Sequence, residues 1–428
     1  MLHPMSTYTQ IFANREFRNL WIGSALGNAS STMTSLTLAI VVDATTGSAL
    51  LAAMIMFGPS LAQVLGVSTL MSAADTARPR QILTLLAAGS AVAVGIQAAL
   101  DLSPGLRLVL SLTLAYGLSI GAGVRYGLLG EVVHDDQFIL GRSAMNLSVG
   151  AMQIAGFGIA GILLQAVSPS TVLWIATGFA TLAVPVVRFG LQDRPPRRVA
   201  RTGLAETWRG NRVLLSQKRT RPLLLALTLP NGLIVGCEAL FVPYAGPRAG
   251  WLLAAGAAGM MSGDLIVGRF LSRNGRRVAG RWLRFVLAVP FLGFAFHLPI
   301  AVLCVLVAVG SFGYSASLAQ QEVLVDLTPA QLRGQVLGLE SALRMTTFGV
   351  AAILAGALAD LTSAAPTMTA FAAASLLVSA ILTRPLARVM RPAGWIGSPH
   401  GSGPAAASLE TVRATGDPGG RRPAGERG

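Results

Sequence analysis

The chain has 428 residues, of which 53% are hydrophobic and 12% charged. Soluble domains carry about 25% charged residues, so a chain of this length cannot cover the surfaces of two or three soluble domains. A soluble enzyme is excluded, and a chain dissolved in lipid is indicated. The net charge is +15, which a bilayer rejects, so the placement of charge decides the organisation.

Residues 1–18 form a cytoplasmic N-terminus, and Arg15 and Arg18 precede the first apolar run. No short apolar region with a small-residue cleavage site follows, so that run is expected to stay as a membrane anchor. A hydrocarbon core of about 30 Å needs about 20 apolar residues per helix. Six segments meet that length near 19–42, 48–71, 81–100, 107–130, 143–166 and 170–190, forming an N-terminal six-helix bundle over 19–190. A polar, arginine-rich linker covers 191–222. Six further segments fall near 223–246, 249–271, 279–297, 299–320, 335–360 and 366–388, within a C-terminal six-helix bundle over 223–390. The tail, 391–428, is rich in Gly, Pro, Ala and Arg and is expected to be a disordered cytoplasmic segment.

The predicted fold class is an all-α integral membrane protein with twelve transmembrane helices in two six-helix parallel-repeat bundles. Charge placement tests this. With the N-terminus inside, Arg78, Arg80, Arg142, the linker arginines, Arg269, Arg273, Arg276, Arg277 and Arg333 all fall on cytoplasmic loops or their flanks, and the external loops hold Arg107 and Arg248. Inside loops rich in Lys and Arg set this orientation. Both termini are expected in the cytoplasm and the protein in the cytoplasmic membrane. A basic chain can signal nucleic acid, but here the basic residues alternate with spans, so no nucleic-acid partner is expected. The linker can touch anionic lipid headgroups.

The halves resemble each other. Loop 2–3 carries Asp75, Arg78 and Arg80, and loop 8–9 carries Ser272, Arg273, Arg276 and Arg277. Leu140 and Leu332 open the fifth and eleventh segments, preceded by Glu131 and Asp326, at an offset of roughly 192 to 197 residues. A six-helix unit repeated in parallel is a transporter architecture, with its site between the halves near the midplane.

These residues resemble the major facilitator superfamily over about 15–390. The family pattern G-x-L-x-D-R-x-G-R-R is similar to Gly268 through Arg277, except that Ser272 stands in place of the aspartate. The first copy keeps Asp75, Arg78 and Arg80 without the glycines. Thr328 and Pro329 through Arg333 and Gly334 resemble the segment before helix 11. Leu20 through Asn28, followed by Thr46, Gly47 and Ser48, resembles the opening of the efflux branch. Two positions depart from the antiporter patterns: Gly117 where helix 4 carries an arginine, and Phe157 where helix 5 carries a proline. These departures weigh against proton-driven export, and carboxylates within the spans weigh for it. The resemblance implies that the Asp75 carboxylate meets the positive N-terminal end of helix 11. The paired arginines, Arg78 and Arg80, are expected to meet Glu131, giving a cytoplasmic gate. The second copy, Arg276, Arg277 and Asp326, is expected to be weaker because Ser272 is uncharged.

Ionisable groups inside a membrane are functional candidates by default. Glu238 lies about two-thirds of the way across the seventh segment at 1.5 Å per residue and reads either as a coupling or substrate group or as a carboxylate wetted at the external end. Asp264 in the eighth segment reads as a cavity group or as a partner of Arg269. Glu340 and Arg344, spaced i, i+4 in the order that favours pairing, read as an exchangeable cavity pair or a structural one. Asn28 binds substrate or bonds across helices. Arg125 neutralises Glu131 or meets a cavity carboxylate. Phe157, Phe241 and Tyr244 line an apolar pocket or pack toward lipid. Cys237 and Cys304 have no metal-ligand spacing. No phosphate loop, HExxH or CxxC pattern occurs, so no metal, cofactor or catalytic set is expected. The expected function is secondary export of a small amphipathic or hydrophobic substrate by a monomer, coupled to protons. An uptake symporter or facilitator is the alternative, and a membrane sensor a more distant one.

Overall fold

The computed structural model describes residues 8–74, 78–134, 137–196, 211–212, 214–217, 219–329 and 332–390. The described residues are helical throughout apart from short connections, with no strand among them. Asp75, the middle of the 191–222 linker and the whole 391–428 tail lie outside the described residues.

A short helix, Tyr8–Ala13, precedes twelve spans. The first three are Arg15–Thr46, Ala49–Ala74 and Pro79–Ala99. The fourth has two pieces, Pro104–Leu118 and Gly121–Val132. The fifth and sixth are Phe138–Ala166 and Pro169–Gly190. The seventh, Arg221–Glu238, continues as Phe241–Ala245, and the eighth is Ala249–Phe270. The ninth, Arg273–Ala288, ends in a 3-10 stretch, Val289–Phe296. The tenth, Ile300–Phe312, passes through a 3-10 turn, Gly313–Ser315, into Ala316–Asp326. The eleventh and twelfth are Arg333–Leu361 and Ala364–Val389.

Length and composition alone single out eleven membrane-crossing helical runs, because 221–270 forms one run of 50 residues. Fifty residues at 1.5 Å each would reach about 75 Å, more than twice a hydrocarbon core of about 30 Å. The run breaks at Gly246, whose φ of 55° and ψ of −132° suit a residue without Cβ, and Pro247 follows. It therefore makes two spans.

Local chemistry sets the ends. Asn14 caps the first span by accepting from the amides of Glu16 (2.9 Å) and Phe17 (3.3 Å). Ser103, Ser168 and Ser272 cap the fourth, sixth and ninth. Pro79, Pro104 and Pro169 occupy first helical positions, where the missing N–H leaves no orphan. Gly47, with φ of 63°, ends the first span. The ninth span starts about six residues before the expected segment at 279. Its first turns are basic, so an apolar window overlooks them, but the Ser272 cap and facing carboxylates hold them helical. Hydroxyls within spans donate back to carbonyls four residues earlier, as Thr37 does to Met33 (2.7 Å) and Thr228 to Leu224 (2.8 Å). Lipid would otherwise leave them unsatisfied.

Packing repeats with an offset of six spans. The first span packs on the fifth and sixth, and the seventh on the eleventh and twelfth. The second packs on the fourth as the eighth packs on the tenth, and the third on the sixth as the ninth on the twelfth. Besides smaller contacts of Phe241–Ala245 with the first and second spans, two extensive ones join the halves, the second span with the eleventh and the fifth with the eighth. They exchange under the same offset.

Spans six and seven are joined by the linker on what is called here the linker face, and the opposite one is the far face. On the far side a single apolar core spans both halves, running from Leu36, Val42 and Ile55 through Ala160 to Phe241, Leu252, Phe291 and Met368. On the linker side the cores separate. Phe17, Leu83, Leu128 and Met145 form one in the first half, and Leu223, Leu324, Val336 and Leu386 form another in the second. The halves are fused at the far face and part toward the linker face.

Glycines close the fused side. A Cβ on Gly250 would lie 2.6 Å from the Gly161 Cα, and one on Gly356 would lie 2.6 Å from the Leu50 Cα. Small residues let spans approach backbone to backbone. Gly250→Val is expected to reduce stability in detergent by about 1–3 kcal/mol through overpacking, measured as a lowered unfolding midpoint. Gly89→Ala, whose added Cβ meets open space, is expected to leave that midpoint unchanged or higher. Equal behaviour of the two variants would remove the close-approach role.

Candidate functional site

The far-face seam carries a charge the sequence reading missed. Asp360, near the end of the eleventh span, accepts from Ser48 Oγ (2.8 Å) and from the amides of Ala49 (2.6 Å) and Leu50 (3.4 Å). These amides open the second span, where a helix leaves N–H groups unpaired and its dipole is positive. A carboxylate of the second half thus caps a helix of the first. The signal was an aspartate in the last turn of its own helix, where the dipole opposes it and a partner from elsewhere is needed. The expected contact of this kind involved Asp75 on the linker face, which lies outside the described residues.

On the linker face the expected pairing of Arg78 and Arg80 with Glu131 is not what forms. Both arginines bind Asp193, at 2.7 and 3.2 Å. Glu131 binds Arg194 Nε at 3.3 Å, and the same guanidinium holds both oxygens of Glu16. The physical reason is the start of the linker, which folds back under the first half and brings an aspartate and an arginine side by side. One planar fork then serves two carboxylates. Hydrogen bonding to Glu16 raises the Arg194 pKa above its ordinary value.

In the second half, Arg276 meets Glu322 at 3.2 Å and Arg277 meets Asp326 at 3.2 Å, with Arg273 reaching Glu322 at 2.6 Å. Ser272, in the aspartate's place, spends its hydroxyl on the Gly275 amide at 3.2 Å. All these ion pairs lie within one half. They staple loops to their own bundle, and none of them bridges the linker-face gap between the halves.

Within the spans, Glu238 is buried where the seventh span breaks. Tyr314 Oη, in the 3-10 turn of the tenth span, donates to its Oε1 at 3.3 Å. The wetted external position is therefore not the one adopted. Phe241, three residues on, stacks with Phe291 and Phe294, with Tyr244 edge-on to Phe294 at 5.1 Å. Phe241 is a core residue rather than a lipid-facing one, and Phe157 packs against the same core.

Glu340 is buried and accepts from Arg344 Nε at 3.0 Å and from Gln321 Nε2 at 3.3 Å. Arg344 also lies over the Phe348 ring at 5.9 Å. Its side chain is 30% exposed, so one edge of the guanidinium is fixed and the other is free to bind. Asp264 is exposed, and among the described residues it has no ion pair with Arg269 or any other group. Asn28 is half-buried, and its carbonyl accepts from Thr32 at 2.8 Å. Among the described residues no bond across helices engages its amide. No ion pair joins Arg125 to Glu131 among the described residues; beside it Tyr126 donates to Asn146 Oδ1 at 2.7 Å, under the Arg142 guanidinium.

The charges fall at one level of the seam. Along the eleventh span, Gly356 meets Leu50 and Gly349 meets Leu61. Arg344 follows about 7.5 Å further toward the linker face. Along the eighth, Gly250 meets Gly161 and Met261 meets Gly150, and Asp264 follows after about 4.5 Å. Arg344 and Asp264 thus stand where the halves begin to part, one cation and one carboxylate on the two seam spans of the second half. Apolar walls with a few placed polar groups suit an amphipathic ligand. Among the described residues no cluster of His, Cys, Asp and Glu suits a metal.

The sequence profile described as Major Facilitator Superfamily matches residues 20–339. The multidrug efflux pump Tap of Mycolicibacterium fortuitum is 27% identical over 242 residues, 53% of this chain and 58% of that protein. The match thus spans little more than half the length of that relative. Among solved structures, a POT family transporter in complex with 5-aminolevulinic acid superposes with a TM-score of 0.71 at 9% identity, covering 91% of this chain and 99% of that one. A variant of the nucleoside transporter NupG gives 0.70 at 13% identity over 86% and 99%. The human organic anion transporter MFSD10 (TETRAN) gives 0.59 at 17% identity over 86% and 99%. At these identities the structures show the shared fold.

The Asp360 contact has a direct test. Ala49 is 6% exposed in the seam, so a maleimide is expected to react slowly with Ala49→Cys. Adding Asp360→Asn removes charged hydrogen bonds and is expected to speed labelling by about tenfold or more. Labelling at the same rate in both backgrounds would show that the contact does not hold the far face shut.

Proposed function

Because the chain belongs to the Major Facilitator Superfamily, we propose that it exports a small amphipathic or hydrophobic molecule by alternating access, driven by protons. The observation that carries this reading is the pair of halves fused at the far face and parted at the linker face, with Arg344 and Asp264 where they part. The substrate enters between the halves from the linker side. An anionic group meets the free edge of Arg344, a cationic group meets Asp264, and Asn28 supplies a further hydrogen bond. The apolar body lies against the walls of the spans. The halves then close at the linker face while the Asp360 contact breaks.

Glu238 is the proposed proton site. Its charge is unfavourable among the aromatic rings, and one tyrosine hydroxyl is its partner. Loading and losing a proton there changes what Tyr314 and the two broken spans prefer, which couples the ion to the rocking of the halves. Glu340 holds Arg344 in place when substrate is absent and releases it to the substrate when present. Arg78, Arg80, Glu131, Arg276, Arg277 and Asp326 set the stiffness of the linker-face loops, with Asp75 as the proposed gate carboxylate.

The basic loops support a linker face and termini in the cytoplasm, and the reading takes the protein as a monomer in the cytoplasmic membrane. Similarity to the Tap efflux pump supports export. Gly117 and Phe157, which stand where antiporters of the family carry arginine and proline, favour one second reading, a facilitator of the same fold.

Purified protein in liposomes, assayed with a panel of fluorescent amphipathic dyes under an imposed pH gradient, tests the reading. Accumulation that collapses with the gradient is expected. Asp264→Asn and Arg344→Gln are expected to slow it about tenfold, the loss of a charged hydrogen bond. Glu238→Gln is expected to equilibrate dye without regard to the gradient. Equilibration without accumulation by the unaltered protein would establish the facilitator reading instead.

A further inference from the structure

A groove of about 300 Å³ lies on the outer side of the first half at the linker face, between the third and sixth spans. Its walls are Arg80, Gln81, Thr84, Leu85 and Ala88 from the third span and Arg188 from the sixth. The five residues of the third span recur as i, i+1, i+4, i+5 and i+8, one face of a helix. Neither span is one of those that join the halves, so the groove is separate from the substrate path.

Its linker-face end is rich in unused donors. Arg80 Nε is buried and has no hydrogen-bond partner. Arg188, in the last turn of the sixth span, is exposed and takes part in no ion pair among the described residues. Thr84 is already spent on the Arg80 carbonyl at 2.7 Å. The third span starts here with Pro79, and Arg78 at its cap position makes no side-chain hydrogen bond to it, so among the described residues its first amides have no side-chain cap. Among the described residues, one carboxylate, Asp193, pairs with Arg78 and Arg80, and none pairs with Arg188.

The rest of the groove is apolar and leads into the bilayer. Leu85 is 71% exposed, and Val92, two turns further along the same face, is 62% exposed. Ala88 lies about 13 Å beyond Pro79 along the helix. A group that satisfies the donors must therefore be anionic, and the molecule that bears it must be apolar beyond its head. Basic pockets between spans near the membrane surface suit anionic headgroups. A choline or ethanolamine head would find no carboxylate for its cation among the described residues that line the groove.

We propose that this groove binds one anionic phospholipid, with its phosphate between Arg80 and Arg188 and an acyl chain along Leu85 and Ala88. The phosphate supplies the acceptor that the buried Arg80 Nε lacks, and it balances a cluster in which, among the described residues, three arginines face one aspartate. The lipid also touches the residue that anchors Asp193, so its headgroup sits against the first turn of the linker.

The test uses the delipidated full-length protein in detergent, titrated with dioleoylphosphatidylglycerol or dioleoylphosphatidylcholine and read by native mass spectrometry. One phosphatidylglycerol is expected to stay bound in preference to phosphatidylcholine. Arg188→Gln is expected to lower its affinity about tenfold, Arg188→Lys to retain most of it, and Arg248→Gln at the far face to leave it unchanged. Hydrogen exchange on the unaltered protein provides a check that needs no variant, since phosphatidylglycerol is expected to protect the first turn of the third span. Equal retention of the two lipids, an unchanged affinity in Arg188→Gln, or no added protection would overturn the proposal. Displacement of phosphatidylglycerol by millimolar inorganic phosphate would also overturn it, by showing that the acyl chain adds nothing.

Discussion

The far-face seam governs the rest of the structure. In lipid no hydrophobic force drives one helix onto another, so association depends on close fit and on polar groups that find partners. Here the close fit is Gly161 against Gly250 and Gly356 against Leu50. The polar contact is the Asp360 carboxylate on the first amides of the second span. These interactions lie on one side of the membrane. They fuse the two halves there, and the separate apolar cores on the other side follow from it.

The linker face has a different economy of charge. Among the described residues it holds many more ion pairs than the seam, yet each one closes within a half. Arg78 and Arg80 bind Asp193, Arg194 gathers Glu16 and Glu131, and Arg273, Arg276 and Arg277 share Glu322 and Asp326. Exposed pairs of this kind contribute little individually, but as networks they stiffen each bundle near its opening. Stiff halves joined at one face can move as bodies. A few contacts at the seam can then set the balance between two arrangements, because packed interfaces are bistable rather than continuously deformable. Arg344 and Asp264 follow directly on the last closely packed turns, Gly349 against Leu61 and Met261 against Gly150.

Much of this was legible because the bilayer imposes length. Twelve apolar runs, a basic linker and a repeated loop follow from hydrophobic thickness and loop charge, which act on each segment independently. The pairing of Glu340 with Arg344 was also legible, since i, i+4 spacing is local. Contacts that depend on where distant helix ends arrive were not legible. Asp360 carried no local signal of its partner, although it is the carboxylate placed on a helix terminus across the halves. Asp193 and Arg194 looked like part of a topological signal, yet they took the partners expected for Glu131 and for the loop 2–3 arginines. Tyr314 gave no signal, because only the breaks in the seventh and tenth spans bring it to Glu238. The mirror contact of Asp75 falls outside the described residues.

The central claim is that the two faces open and close reciprocally about this seam. Paired spin labels measure both at once in the reconstituted full-length protein. One pair is Asp101→Cys with His297→Cys on far-face loops, and the other, at the linker face, is His134→Cys with Asn274→Cys in the first turn of the ninth span. With the Asp360 contact intact, reciprocity requires a short far-face distance and a long linker-face distance. With Asp360→Asn added, a population must appear in which the far-face distance lengthens and the linker-face distance shortens together. A far-face distance that lengthens while the linker-face distance stays fixed would contradict alternating access, because the seam would then be loosening rather than exchanging one closed face for the other.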